Sequence, residues 1–127
     1  MSDIDPDSSQ LIGEVIGSAI EVHRALGPGF IESVYKQAMC LELAQRNIEY
    51  VCEHIIPVDY KGQRVGEGRV DLFVKQKLIV ELKAVDAFAP IHVAQVISYL
   101  RATHQRVALL INFNVTVLKN GIKRVAL

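Results

Sequence analysis

Three charged residues interrupt two apolar stretches where a chain would otherwise build core. Between Val70 and Val85 the sequence reads as two β-strands, yet Asp71, Glu81 and Lys83 stand among Val, Leu and Ile. Side chains alternate faces along a strand, so Glu81 and Lys83 share one face with Ile79 and Val85. Leu78, Val80, Leu82 and Ala84 fill the other. On the preceding strand Arg69, Asp71 and Phe73 share a face. If Val74 pairs with Leu78 across the turn at 75–77, Asp71 lies directly opposite Glu81, and Arg69 opposite Lys83. Two facing carboxylates repel and destabilise a sheet. A divalent cation between them removes that penalty. Oxygen-only ligation suits Mg²⁺ or Mn²⁺, which keep several waters and take one or two carboxylates plus substrate phosphate. Lys83 would then orient or deprotonate a water activated by the metal, or neutralise charge in a transition state. The same spacing also fits ordinary ion pairs on the solvent face of a strand. A one-residue slip in register would separate the two acids.

The elements that must position these groups follow from pattern and punctuation. Residues 1–8 read as a frayed leader, with Ser8 or Ser9 capping a helix to about Leu26. Gly13 and Gly17 within it predict close packing against a neighbour. "LGPG", residues 26–29, stops the helix, with Gly27 suited to a left-handed position after its end. A second helix is expected from about Phe30 to Arg46, with Ile31, Val34, Tyr35, Ala38, Met39, Leu41 and Leu43 as its apolar stripe. "IEYVCEHIIPVDYKG" reads as a long edge strand broken or bulged at Pro57, and "YKGQRVGEG" as the turn after it. Strands then run from about Gly68 to Lys75 and from Leu78 to Val85.

Pro90 suits the first turn of a third helix, through about Thr103. His92, Gln95 and Tyr99 recur on one of its faces, and Gln95 and Tyr99 are suited to holding a water, phosphate or carboxylate. They also fit the polar edge of an amphipathic helix. "RVALLINF" is a short buried strand, and the C-terminus a strand or hairpin turning at Asn120-Gly121. The order predicts an α/β fold, a mixed central sheet flanked by helices.

Composition narrows the function. The chain of 127 residues is half apolar and 22% charged, enough for one domain with a single core spanning 1–127. With 14 basic and 14 acidic residues the formal charge is zero, so no whole-protein basic field draws nucleic acid. Any phosphate-binding patch must be local, or supplied by a metal ion or a partner chain. Aromatics at 6%, with no Trp, argue against a surface built on base stacking. Cys40 and Cys52 form no CxxC and predict reduced, buried thiols in a cytosolic protein. No apolar run approaches the roughly 20 residues of a membrane span.

Taken together, Asp71, Glu81-Leu82-Lys83 and the helix with Gln95-x-x-x-Tyr99 resemble the PD-(D/E)XK nuclease-like superfamily. "GFIESVY" places Gly29, Glu32 and Tyr35 in the motif that names its small GxxExxY proteins. "VHRALGPGFIESVY", "IVELKAV", "IHVAQVISYL" and "LLINF" are similar to segments of that family, in the same order. Val70 stands where the superfamily's proline precedes the acid.

The resemblance implies a restriction-endonuclease-like αβββαβ core with its site at one edge of the central sheet. It implies a nuclease using Mg²⁺ or Mn²⁺ on DNA or RNA, with a non-catalytic nucleic-acid- or protein-binding accessory module as the alternative. Asp71 and Glu81 would bind the metal, with the Leu82 backbone carbonyl as a third protein ligand and Glu32 joining directly or through water. Lys83 would act on the attacking water or scissile phosphate, and Gln95 and Tyr99 would position either. Gly29 would allow a tight turn, and Tyr35 is expected in the core. Arg69 would touch phosphate or pair with Glu67 at the rim. So small a core is expected to work as a homodimer or within a larger assembly.

Overall fold

A computed structural model describes residues 6–127. In chain order it contains α1 (Pro6–Leu26), α2 (Glu32–Gln45), β1 (Tyr50–Tyr60), β2 (Gln63–Val74), β3 (Leu78–Lys83), α3 (Pro90–Thr103), β4 (Val107–Asn112) and β5 (Ile122–Ala126). The strands form one mixed sheet in the order β1-β2-β3-β4-β5. Only β3 and β4 run parallel, joined by the α3 crossover, and the other neighbours are antiparallel. This is the expected α/β architecture.

Helices cover both faces. Against α1 and α2 pack Leu72, Val80, Leu82, Leu109 and Ile111, which meet Ile12, Val15, Met39 and Leu43. Against α3 pack Phe73, Ile79, Ala108 and Leu110, which meet Val96 and Leu100. Strand β4 is buried at all six positions because it is central and covered on both sides. Its continuous apolar run states as much. No helix among the described residues is long and apolar enough to cross a membrane.

Several boundaries differ from expectation for identifiable reasons. Ser8 and Ser9 lie inside α1, which already includes Pro6, a residue tolerated in a first turn. The rest of the expected leader, 1–5, lies outside the described residues. Gly13 faces open space rather than a neighbour, whereas a Cβ added at Gly17 would sit 3.3 Å from the Arg46 guanidinium. Ile31 and Leu41 are exposed, because the inward face of α2 is centred on Tyr35, Met39 and Leu43, with Ala38 and Cys40 packed beside them. The turn after β1 shrinks to Lys61–Gly62, and β2 pairs with β1 from Gln63 onwards. The irregularity expected at Pro57 falls between Val58 and Asp59, and Pro57 itself pairs with Glu67 on the sheet edge. At the C-terminus, Asn120-Gly121 lies in a 3₁₀ turn (Leu118–Gly121) that feeds β5 onto β4.

One distortion matters for the site. Tyr50 and Cys52 pack on the α1–α2 side, whereas Ile56 belongs to the α3 side and His54 stacks on Phe73. In β2, Leu72 and Val74 face α1–α2, but Val70 faces α3. Even-numbered residues of both strands therefore change faces. The change occurs between Cys52↔Leu72 and His54↔Val70, where Glu53 adopts a left-handed backbone with φ 57°. A non-glycine residue there costs roughly 1–2 kcal/mol. Asp71 is the residue across from it. Arg69 consequently does not share a face with Phe73, contrary to the simple alternation.

Candidate active site

The expected register holds where it can be read: Val74 pairs with Leu78, Phe73 with Ile79 and Leu72 with Val80. There the backbone ladder ends. Beyond it β2 continues with β1 alone and β3 with β4 alone, so the sheet splits. At the first position of the split the side chains replace the ladder. The Asp71 N–H donates to Glu81 Oε2 at 2.9 Å, and the Leu82 N–H donates to Asp71 Oδ2 at 2.8 Å. Asp71 and Glu81 are thus brought together as expected. Arg69 and Lys83 are not paired, because the strands have diverged before reaching them.

Glu81 is only 4% exposed. Burial pushes its carboxyl up from an ordinary 4.5 to about 8; the Asp71 charge and a hydrogen bond to the Asp71 carboxylate add to the shift. The Asp71 N–H and the Lys83 ammonium oppose it, too weakly to win. At neutral pH Glu81 therefore favours its protonated form, and that proton relieves the repulsion with Asp71. One oxygen of each is fixed by a backbone N–H, leaving the other for that proton or for a cation. Hard oxygen donors in this number match Mg²⁺ or Mn²⁺, which complete their shells with water and phosphate. Among the described residues no group of three His, Cys, Asp or Glu side chains gathers closely enough to hold a metal without such help.

Lys83 is half-buried at the end of β3, close enough for its charge to act on Glu81. Its carbonyl accepts the Phe113 N–H at 2.9 Å, and its partner across β4 is Asn112. Buried Asn112 ties down the segment that follows: its amide donates to the Val85 carbonyl at 2.8 Å and accepts from the Val85 N–H at 3.1 Å. Sequence reasoning missed Asn112, although a polar residue ending the run "LLIN" was the available signal.

Tyr99 reaches the site. Its phenol is raised by burial first and by the Glu81 and Asp71 charges, while an N–H from Arg69 donates to its oxygen and opposes them. The ring lies on Gly68, where an added Cβ would sit 2.7 Å from Cε1. Gly68 is therefore what admits the tyrosine, a role not legible from a glycine that read as part of a turn. Gln95, one turn earlier, remains exposed. His92 closes the start of α3, its Nδ1 accepting the Ala89 N–H at 3.0 Å.

Helix α2 contributes from the other side. Gly29 has φ 110°, a left-handed conformation that suits glycine. Tyr35 is fully buried and stacks on Phe113 with centroids 4.5 Å apart. Its hydroxyl donates to the Gly27 carbonyl at 2.6 Å and accepts the Phe30 N–H at 3.2 Å. Tyr35 thus pins the loop that starts α2. Glu32 is exposed on the first turn, and Lys36, one turn on, forms an ion pair with Glu53. Arg69 reaches the other oxygen of Glu53 at 3.6 Å rather than Glu67. Neither Lys36 nor Glu53 was singled out from sequence. Cys40 and Cys52 are free, half-buried thiols, and burial pushes Cys40 up to about 11.

A search of curated proteins found no match. The family model of the PD-(D/E)XK nuclease superfamily matches residues 9–125. That span takes in the split ladder, the helix bearing Tyr99 and the whole sheet but for the last residue of β5, and the chain belongs to the PD-(D/E)XK nuclease superfamily.

Proposed function

We propose that the protein is a divalent-metal-dependent nuclease that hydrolyses phosphodiester bonds of DNA or RNA, and that it belongs to the GxxExxY group of its superfamily. The observation that carries this is the split ladder, where Asp71 and Glu81 face each other with one oxygen apiece uncommitted to backbone. Superfamily membership supports it. The Leu82 carbonyl is the third protein donor: N–H and C=O of one strand residue point the same way, and the Leu82 N–H points into the gap toward Asp71. Glu32, one turn from Lys36 on the same helix face, completes the set through water.

A divalent ion bound there supplies an activated water and charge compensation at the phosphoryl group. Lys83, aimed along the same face as Glu81, holds the attacking water or the non-bridging oxygens of the phosphate. The Tyr99 hydroxyl, fixed by the Arg69 N–H, and Gln95 at the mouth orient the same group. The buried base of the cleft excludes bulk water and strengthens each of these interactions.

The test is cleavage of end-labelled single- and double-stranded DNA and RNA with Mn²⁺, Mg²⁺ or EDTA, with a Lys83→Ala preparation alongside. Metal-dependent cleavage lost in the variant is the expected result. Cleavage that persists in the variant, or none on any substrate, would sink the proposal. The latter outcome would favour an accessory module that retains nucleic-acid or partner affinity in EDTA.

A further inference from the structure

Beside the carboxylate pair lies a second charged cluster that the chemistry above does not use. The Lys36 Nζ of α2 contacts Glu53 Oε1, and the Arg69 Nη1 of β2 reaches Glu53 Oε2 at 3.6 Å. The two cations come from different elements and converge on the two oxygens of one anion. Glu53 is the residue across from Asp71 at the face switch, and the Asp71 charge acts on Lys36. Arg69 is two residues before Asp71, and its N–H holds Tyr99. The cluster therefore borders the proposed metal site directly.

We propose that Lys36 and Arg69 form an anion subsite for a backbone phosphate of the nucleic acid next to the scissile one, with Glu53 as the internal anion that this phosphate displaces. The inference rests on the nuclease reading for its choice of ligand. Three observations carry it. A carboxylate held by one cation on each oxygen has the same donor demand as the two non-bridging oxygens of a phosphodiester. A chain with no net charge must concentrate its cations locally to grip a polyanion. The left-handed backbone of Glu53 is strained for a non-glycine residue, and strain of this kind clusters at ligand sites. Lys36 is mostly covered, with 20% of its side chain exposed, while Arg69 at 60% stands at the opening. A phosphate would meet Arg69 first and reach Lys36 as Glu53 swings out.

The experiment is fluorescence anisotropy of an end-labelled single-stranded DNA 12-mer with the full chain. It is run in EDTA and in Ca²⁺ over a series of salt concentrations. Lys36→Met and Arg69→Met are each expected to weaken binding about tenfold and to reduce the slope of log K against log salt by about 0.7, the value for one phosphate contact on a single strand. Glu53→Gln is expected to tighten binding several-fold, because it removes the competing anion. An ion triad that merely fastens α2 to the hairpin would give the opposite sign for Glu53→Gln, namely weaker binding with lower stability. Unchanged affinity and slope in the two cation variants, or weaker binding in Glu53→Gln, overturns the subsite. Unfolding midpoints of all three variants show whether the fold is intact. If the wild type cleaves while the cation variants behave like it, the subsite fails and the nuclease reading stands. If the wild type binds with the expected variant pattern and cleaves nothing, the subsite stands and the nuclease reading fails.

Discussion

Glu81→Gln is the substitution that reads the carboxylate pair most closely without any assumption about substrate. In the metal-free protein the Glu81 carboxyl is held from its ordinary 4.5 up to about 8. The native state therefore keeps a proton that the unfolded chain has already released. Wherever the native state binds more protons, stability falls as pH rises. The contribution is full below pH 4.5 and is lost as pH climbs toward 8. A change of that size corresponds to at most about 5 kcal/mol, and local relaxation brings it to a few kcal/mol. Glutamine keeps the acceptor for the Asp71 N–H, supplies a donor toward the Asp71 carboxylate and cannot ionise. The variant should match the wild type near pH 5 and exceed it by a few kcal/mol at pH 8.5. In thermal unfolding that is roughly 3–5 °C for each kcal/mol in a chain of this length. The assay is unfolding in EDTA from pH 5 to 8.5, reading the difference between the two proteins so that other titrating groups cancel. A difference that does not grow with pH would refute the reasoning.

Three other substitutions probe the parts that position the site. Gly68→Ala places a methyl against the Tyr99 ring and should cost about 1–3 kcal/mol in unfolding, with about 10²-fold loss of any cleavage activity as Tyr99 is displaced. Asn112→Asp keeps the acceptor for the Val85 N–H but sets a carboxylate against the Val85 carbonyl; denaturant unfolding should show a loss of about 3 kcal/mol. Tyr35→Phe leaves the ring stack on Phe113 and removes the hydroxyl that ties the loop at Gly27 and Phe30. It should lose about 1–2 kcal/mol, with amide exchange at Phe30 speeding up.

Much of this site was legible because burial constrains register. Strand β3 is buried through Leu82, and the short turn at 75–77 leaves one pairing that keeps Leu72 and Val80 on the same face, so Asp71 and Glu81 had to meet. Helix α3 was legible end to end, from Pro90 in its first turn through Thr103, with His92, Gln95 and Tyr99 recurring along it. What escaped was departure from regular alternation. A glutamate in a left-handed conformation carries no signal in sequence, so the face change at Glu53, and with it the true direction of Arg69, could not be foreseen. The first part of β2, Gln63 to Glu67, was hidden because "YKGQRVGEG" read as a turn; Gly68, at the expected strand start, makes room for a ring from a distant helix. Lys36 looked like ordinary helix surface, and its role depends on a strand well removed in sequence.

Metal binding at this site would exchange the proton of the Asp71–Glu81 pair for a divalent ion. Calorimetric titration of the wild type with Mn²⁺ and Mg²⁺ at pH 7, repeated in buffers of different ionisation heat, measures affinity and proton release together. Binding with release of about one proton per ion, abolished in both Asp71→Asn and Glu81→Gln, is the expected result. Binding that leaves the proton count unchanged, or that survives both substitutions, would contradict it.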